Sequence, residues 1–280
     1  MLNPLLEVGR EINEKYRKGK DDRIKKPHIM LNKDNFNKYF VFDTNWVLVF
    51  DHLETMLIRP NDVALYSSIS DKNLAAAKDF YNKTIIPRHG QYGGAFPTLQ
   101  KQQEYYDYFE LIITSIIFAY TALEAFANIC IPNGWEHIKE TKGVKTIYSK
   151  GAIERTFSLQ DKFKIMLKNI LQTPDPTSSN WWQDFIKLED IRNEISHTKQ
   201  AKSEERYSRI LSQDVFNIIE NHKEIISYYG RYISKNRKEL LEEFPYKFGY
   251  DDFIPSLMTN KNYEKSYKAI HNINLDDSEE

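Results

Sequence analysis

The sequence predicts a mainly α fold, an antiparallel helical bundle preceded by an N-terminal extension with a candidate short β-hairpin. Three observations predict the bundle. An apolar run extends from Tyr105 to Ile131, and apolar residues recur at helical spacing in two later stretches, Trp181–Ile195 and Val215–Ile226. Helices joined by loops in this way are typical of an up-and-down bundle.

The predicted extension covers residues 1–100, and its local signals are mixed. A short helix is expected over Leu5–Lys18. The aromatic and β-branched run Tyr39–Phe50 favours two strands joined by a turn at Asp43–Asn45. A helical alternative stays open there, because apolar residues within 47–57 also have helical spacing.

The end of the extension is predicted from a helix and a linker. A helix is expected over Ser70–Asn82, with Asp71 as its cap. The segment Pro87–Pro97 contains three glycines and two prolines, which favours a linker. We therefore expect a domain boundary near residue 100.

The bundle is predicted to cover residues 101–234, followed by a tail at 235–280. Ser158 and Asn180 are the expected caps of the second and third helices. The stretch 135–157 is ambiguous. The four helices are expected at Gln102–Ile131, Ser158–Leu171, Ser179–His197 and Asp214–Ile233.

Charge and cysteine content exclude several classes of protein. The 280 residues include 39 basic and 40 acidic side chains, for a formal net charge of −1. A protein that depends on bulk attraction to nucleic acid is usually more basic, so any RNA contact has to be local. The single cysteine, Cys130, excludes an internal disulfide and a cysteine-based zinc cluster, and its apolar surroundings indicate a core residue.

The sequence favours a cytoplasmic protein that does not bind a membrane. The segment Met1–Lys20 has scattered charges and lacks the apolar stretch of a signal peptide. The run Leu111–Ile131 is apolar, but Glu124 lies near its middle, where hydrocarbon would disfavour a carboxylate. A buried helix is the better interpretation of this run.

The last turn of the third helix carries a group of residues suited to phosphate chemistry. Asn193 and His197 are four residues apart and share a helix face. Arg192 lies about 140° around the axis from His197, and its long side chain can span that angle. The turn therefore combines a guanidinium that can bind a phosphate, an amide and a base that titrates near neutrality.

These groups are the ones that metal-free RNA cleavage needs. A base takes the proton of a ribose 2′-hydroxyl, whose oxygen attacks the adjacent phosphate, and a cation stabilises the charge that develops on the phosphoryl oxygens. The other six histidines are scattered, and no two have metal-ligand spacing. We therefore expect neither a metal site nor a cofactor.

Two stretches also resemble a known family. Arg192-Asn193-x-x-x-His197 resembles the R-N-x-x-x-H form of the HEPN (higher eukaryotes and prokaryotes nucleotide-binding) motif, found in ribonucleases of that family. The earlier stretch Tyr120–Asn128 resembles the core helix of the family, with Glu124 as its acidic residue. The resemblance covers roughly residues 101–234 and explains neither end of the chain.

The resemblance implies a HEPN-like bundle of four to five helices and a metal-independent endoribonuclease acting on an RNA substrate. The family site is usually composite, so one motif per chain implies a homodimer. Arg192 and His197 would carry catalysis, Asn193 would orient or bind substrate, and Glu124 would support Arg192 or His197. Many relatives are toxins or antiviral effectors restrained by a partner, so an inhibitory or activating protein is a further candidate partner.

Lys199 and Lys202 follow the motif and are candidate substrate-binding residues, because their ammonium groups could contact an RNA backbone. The stretch Lys199–Arg209 is expected to be a basic loop. The alternatives are plainer. The motif could be the solvated face of an amphipathic helix, and Glu124 could form a structural ion pair. In function, the alternative is a catalytically silent HEPN-like binding or scaffold module that acts through a protein partner.

Overall fold

The computed structural model describes residues 4–50, 53–88, 99–197, 203–249 and 255–271. These residues are mostly helical, with a few short strands, which agrees with the predicted mainly α class. The chain forms two compact units, one made of residues 1–61 and 237–280 and the other of residues 62–236. This division differs from the predicted boundaries at residues 100 and 234, because the chain's two ends pair through strands.

The helical unit is built around one long central helix. That helix, α3 (Leu99–Ile129), packs along α2 (Asp62–Phe80) and contacts α7 (Trp182–Ser196) and α9 (Asp214–Asn236). Its inward face carries buried apolar and aromatic side chains spaced three and four residues apart, as a helix between other helices requires. Examples are Tyr108, Ile112, Ile116, Ala119, Leu123 and Phe126.

The ambiguous stretch before the second predicted helix contains a hairpin and a short helix. Strands β5 (Glu136–Thr141) and β6 (Val144–Ser149) pair antiparallel, and α4 (Lys150–Thr156) follows directly. The positive φ angles of Lys142 and Gly143 form the tight turn between the strands.

The second predicted helix is confirmed and contains an unusual turn. It consists of α5 (Leu159–Asp161), a π-helical turn at Lys162–Leu167 and α6 (Lys168–Leu171). Ser158 caps it as predicted, since its hydroxyl oxygen accepts a hydrogen bond of 3.1 Å from the backbone N–H of Asp161.

Two predicted caps are wrong. Asp71 lies inside α2, which begins at Asp62, and its carboxylate pairs with Lys223 at 2.8 Å instead of capping a helix. Asn180 is not the cap of α7, because Trp181 occupies that position and makes no side-chain capping bond. In both cases a polar residue next to an apolar stretch was taken as the cap, and the helix begins at another residue.

Part of the predicted loop after α7 is helical. Residues Ser203–Leu211 form α8, and two tyrosines of other elements donate hydrogen bonds to its last carbonyls. Tyr108 Oη donates to Ile210 O at 2.7 Å, and Tyr81 Oη donates to Leu211 O at 2.9 Å. These bonds satisfy carbonyls that a helix end leaves unpaired.

The second unit joins the two ends of the chain. After α1 (Pro4–Arg17), β1 (His28–Asn32) pairs antiparallel with β2 (Tyr39–Phe42) and parallel with β7 (Ser256–Met258), which precedes α10 (Asn260–Ile270). The other sheet is a hairpin of β3 (Asn45–Phe50) and β4 (Leu53–Ile58).

The strand interpretation of this region is therefore confirmed, and the helical alternative is wrong. The predicted turn at Asp43–Asn45 joins β2 and β3, which belong to different sheets and do not pair with each other. The hairpin instead forms between β3 and β4, and Val47 lies opposite Met56 in its register.

Among the described residues, α3 alone is long and apolar enough to cross a membrane by length and composition. Its buried face lies against α2, α7 and α9, as expected for the core helix of a bundle. The predicted linker at Pro87–Pro97 lies largely outside the described residues.

The end of α6 allows a test of its left-handed cap. Gln172 has φ +53°, a region that glycine occupies without the steric penalty of other residues. We expect Gln172→Gly to raise the free energy of unfolding by about 0.5–1 kcal/mol. The same change at exposed Gln103, inside α3, should lower it by about 0.5 kcal/mol. Urea unfolding of both variants measures the two changes in the free energy of unfolding, and changes of equal sign would contradict the prediction.

Candidate functional site

The predicted motif lies at the carboxyl end of α7. Phe185, Leu188 and Ile191 bury the apolar face of this helix, which turns its last polar residues outward. The helix ends at Ser196, and the backbone N–H of His197 donates to Asn193 O at 2.9 Å. The sequence therefore predicted both the helix and its end next to His197.

The guanidinium of Arg192 has three neighbours. Its Cζ lies 4.5 Å from the centre of the Tyr120 ring, and its Nη1 donates to Asn193 Oδ1 at 3.0 Å. Its Nη2 lies 3.9 Å from Glu124 Oε1, well beyond the 2.7–2.9 Å of a charge-assisted hydrogen bond. The side chain is 28% exposed, so the guanidinium is oriented by the protein and still reaches solvent.

His197 is exposed at the end of α7. Within the described parts of the chain, its imidazole has no hydrogen-bond partner. Asn193 links it to Arg192, because the Asn193 carbonyl accepts from the His197 backbone while its side chain accepts from Arg192. The structure thus places the three motif residues on one exposed helix end.

Glu124 of α3 lies beside Arg192, one of the two residues that it was predicted to support. Burial raises the pKa of the Glu124 carboxyl, the positive charges of Arg192 and Lys162 oppose that shift, and the negative charge of Glu189 adds to it. The ion pair with Arg192 is loose, and the Glu124 side chain is 38% exposed. Glu124 therefore contributes a nearby negative charge but does not hold the guanidinium by a short bond.

A buried lysine that the sequence reading missed lies close to Glu124. Lys162 is only 4% exposed, and its ammonium donates to Asn128 Oδ1 at 2.9 Å and to Glu154 O at 3.0 Å. Burial lowers its pKa, and the charges of Glu124 and Glu154 oppose that shift. Since Asn128 lies one turn after Glu124 on α3, Lys162 places a second positive charge near the carboxylate.

Glu189 and Tyr120 form a second polar group behind Arg192. Tyr120 Oη donates to Glu189 Oε1 at 2.9 Å, and Gln160 Nε2 donates to the other oxygen of Glu189. Glu189 lies one turn before Arg192 on α7, a spacing that the sequence does show. Its role was not recognisable from sequence because its partners come from α3 and α5.

On the other side of the motif, two arginines of α8 contact Glu194. Arg209 Nη1 donates to Glu194 Oε1 at 2.8 Å, and Arg206 Nη1 donates to Glu194 O at 3.3 Å. The two predicted substrate-binding lysines, Lys199 and Lys202, lie outside the described residues.

Two other candidate groups are structural. His222 is buried, with Nε2 2.8 Å from Ser67 Oγ and Nδ1 2.7 Å from Ile219 O, so it is held inside the bundle. Cys130 is fully buried, and burial raises the pKa of its thiol far above the ordinary range, which disfavours a nucleophilic thiolate. The sequence interpretation of Cys130 as a core residue is confirmed.

Within the residues that the structure describes, no three His, Cys, Asp or Glu side chains are grouped so that they could hold a metal ion. Comparisons with known protein families, with curated proteins and with solved structures gave no match. The chemistry of the motif residues and their neighbours therefore carries the functional proposal.

The raised pKa of Glu124 predicts a pH-dependent effect on stability. Below its ordinary pKa, near 4.5, the carboxyl is protonated in both folded and unfolded chains. As the pH rises above that value, ionisation is harder in the folded chain, so the folded state loses stability relative to the unfolded one. The free energy of unfolding of Glu124→Gln minus that of the parent should therefore be larger at pH 7 than at pH 4. Urea unfolding at the two pH values measures this difference.

Glu110→Gln is the matched control, because it removes an exposed carboxylate from the same helix. We expect its stability difference from the parent to change less between the two pH values. If Glu124→Gln lost stability relative to the parent as the pH rose, the assignment of burial as the dominant effect on Glu124 would be wrong.

Proposed function

We propose that this protein is a metal-independent endoribonuclease of the HEPN type. One observation carries the proposal. At the end of α7, Arg192 is oriented by Tyr120 and Asn193 and is partly exposed, and His197, five residues further on, is also exposed. A fixed cation and an accessible base are the two groups that cleavage by a 2′-hydroxyl requires.

In the proposed reaction, His197 accepts the proton of the ribose 2′-hydroxyl as that oxygen attacks the adjacent phosphorus. The bond from phosphorus to the 5′-oxygen then breaks, and a protonated imidazole returns a proton to the leaving oxygen. The products are a 2′,3′-cyclic phosphate and a 5′-hydroxyl. Arg192 stabilises the negative charge that develops on the phosphoryl oxygens, because its planar guanidinium can donate two hydrogen bonds at once.

The loose pairing of Arg192 with Glu124 supports this role. A guanidinium engaged in a short two-bond ion pair would have to break that pair before it could bind phosphate. At 3.9 Å from Glu124, Arg192 retains donors for an incoming anion. Asn193 stays bonded to Arg192 and would limit the movement of the guanidinium as it binds a phosphate.

We further propose that the working form is a homodimer in which two motifs face one site. Each chain supplies one Arg192 and one His197, whereas the reaction uses a proton acceptor and a proton donor. A second copy of the motif provides both groups at once. The resemblance to the HEPN family, whose sites are usually composite, supports this arrangement and makes a protein that restrains or triggers the activity a further candidate partner.

A second candidate function is a silent module that binds phosphate or a protein partner. The charge balance around the motif favours it, because Arg209 and Arg206 are engaged by Glu194 and the whole chain has a net charge of −1. Such a module would keep Arg192 for binding and would not use His197 as a base.

The nuclease proposal predicts cleavage of total RNA in the presence of EDTA. We expect the parent to leave 2′,3′-cyclic phosphate ends, and Arg192→Ala and His197→Ala each to lower the rate about 100-fold or more. Sequencing of fragment ends and a time course of cleavage are the measurements. Exposed Arg155 and His271 provide the controls, and Arg155→Ala and His271→Ala should cleave at the parent rate.

Equal rates for the parent and both motif variants would show that the cleavage comes from elsewhere in the chain or from a contaminant. A parent that binds RNA through Arg192 without cleaving it would favour the silent module.

The dimer proposal predicts that a subunit without His197 inactivates the parent subunit with which it pairs. Such a mixed dimer contains one imidazole, whereas the proposed reaction uses a proton acceptor and a proton donor. After exchange of subunits with an excess of His197→Ala, we expect the rate to fall with the fraction of parent–parent dimers. Cleavage by the mixture, with subunit exchange followed by differential labelling, is the measurement. A rate that follows the total amount of parent chain despite exchange would contradict a composite site but not the nuclease itself.

A further inference from the structure

The guanidinium of Arg192 lies over the ring of Tyr120. Tyr120 belongs to α3 and is only 4% exposed, so its ring is fixed by the packed bundle. The Arg192 guanidinium lies 4.5 Å from the ring centre, within the distance at which a cation is attracted to an aromatic face.

The hydroxyl of Tyr120 is anchored by a buried carboxylate. Glu189 is 7% exposed, and its two oxygens accept hydrogen bonds from Tyr120 and Gln160. Within the described residues it forms no ion pair. A buried carboxylate whose hydrogen bonds come only from neutral donors has a desolvation cost that those bonds offset only in part.

The position of this carboxylate suggests what it does. Glu189 and Arg192 are three residues apart on α7, so they share a helix face, and Tyr120 contacts both. By accepting the hydrogen bond of the Tyr120 hydroxyl, the negatively charged Glu189 makes the phenol oxygen and the ring more electron-rich. The arrangement therefore both fixes the ring and favours a cation in front of it.

We propose that Tyr120, held by Glu189 and Gln160, is a positioning residue that sets the direction in which Arg192 presents its guanidinium to a substrate phosphate. The reference to substrate rests on the proposed function, whereas the orientation of Arg192 does not. Glu124, at 3.9 Å, is the weaker restraint on that orientation.

The orientation is tested by NMR of protein labelled with 15N and 13C in arginine. The Arg192 side-chain signals are identified by their absence in Arg192→Lys. In the parent we expect upfield ring-current shifts of these signals and slow rotation about the bond from Nε to Cζ. Tyr120→Leu should abolish the ring-current shift and speed the rotation, which the bond from Arg192 Nη1 to Asn193 then restrains alone. Tyr120→Phe should keep the ring-current shift, and Glu124→Gln should leave both effects in place.

Activity gives the second measurement. Tyr120→Leu should lower kcat by about 100-fold, the size of effect that follows from misplacing a group by roughly 1 Å, with a smaller change in KM. Tyr120→Phe keeps the ring and should recover most of that loss, which a role in folding stability alone would not predict. Tyr106→Leu is the control, because Tyr106 lies on the same helix and is mostly exposed.

Two outcomes would overturn the positioning role of Tyr120, and a third would separate it from the nuclease proposal. Parent Arg192 signals without a ring-current shift would show that the guanidinium does not lie over the ring, and this test needs only the conservative Arg192→Lys variant, for assignment. Slow rotation that survives in Tyr120→Leu but disappears in Glu124→Gln would assign the positioning role to Glu124. If the NMR results are as expected but the parent cleaves no RNA, the positioning role stands and the nuclease proposal fails.

Discussion

The polar stripe of α3 is the constraint on which the helical unit depends. Tyr120, Glu124 and Asn128 follow one another at one-turn spacing on a helix that is otherwise largely apolar. Polar groups in such a place need partners, and here the partners come from α7 and from the segment at 159–167. Apolar packing brings the helices together, but this stripe fixes how α7 is rotated about its own axis.

The magnitudes explain why the aromatic ring outweighs the ion pair at Arg192. A partly exposed ion pair at 3.9 Å is screened by solvent and contributes about 0–1 kcal/mol. A cation over a desolvated ring contributes more, about 1–2 kcal/mol. The Tyr120 ring is only 4% exposed, whereas the Glu124 side chain is partly buried and 38% exposed. Orientation of the guanidinium therefore follows the ring, while Glu124 and Lys162 adjust the local charge.

Much of the helical unit could be predicted from sequence because its long helices have strong periodicity. The positions of α3, α7 and α9, to within three residues at each end, and the place of the motif at the end of α7 follow from the spacing of apolar residues. Helix α8 could not be predicted in this way, because it is short and charged and its final carbonyls are satisfied by distant tyrosines. The pairing of β1 with β7 joins residues more than two hundred positions apart, which local patterns do not encode.

The same difference applies to the candidate site. Arg192, Asn193 and His197 are neighbours in sequence, so their spacing could be recognised. Lys162 and Glu189 act through partners on other helices, and each by itself is an ordinary charged residue beside an apolar stripe. Lys162 stands among the apolar residues of the second predicted helix, and that position was the only sign of its burial. Its role depends on the contact with Asn128, which only the folded chain supplies.

The π-helical turn at Lys162–Leu167 gives the second helix one spare residue of chain length. Such a turn accommodates one more residue than an α-helical turn between the same ends. Gln160 precedes it and contacts Glu189, whereas the buried Ile170 and Leu171 follow it and anchor the helix. In a regular α-helix, losing one residue between these groups would rotate them relative to each other by about 100°. Losing one residue within the π-helical turn instead leaves an α-helical turn between the same ends, so a single-codon deletion there could spare the polar group behind Arg192.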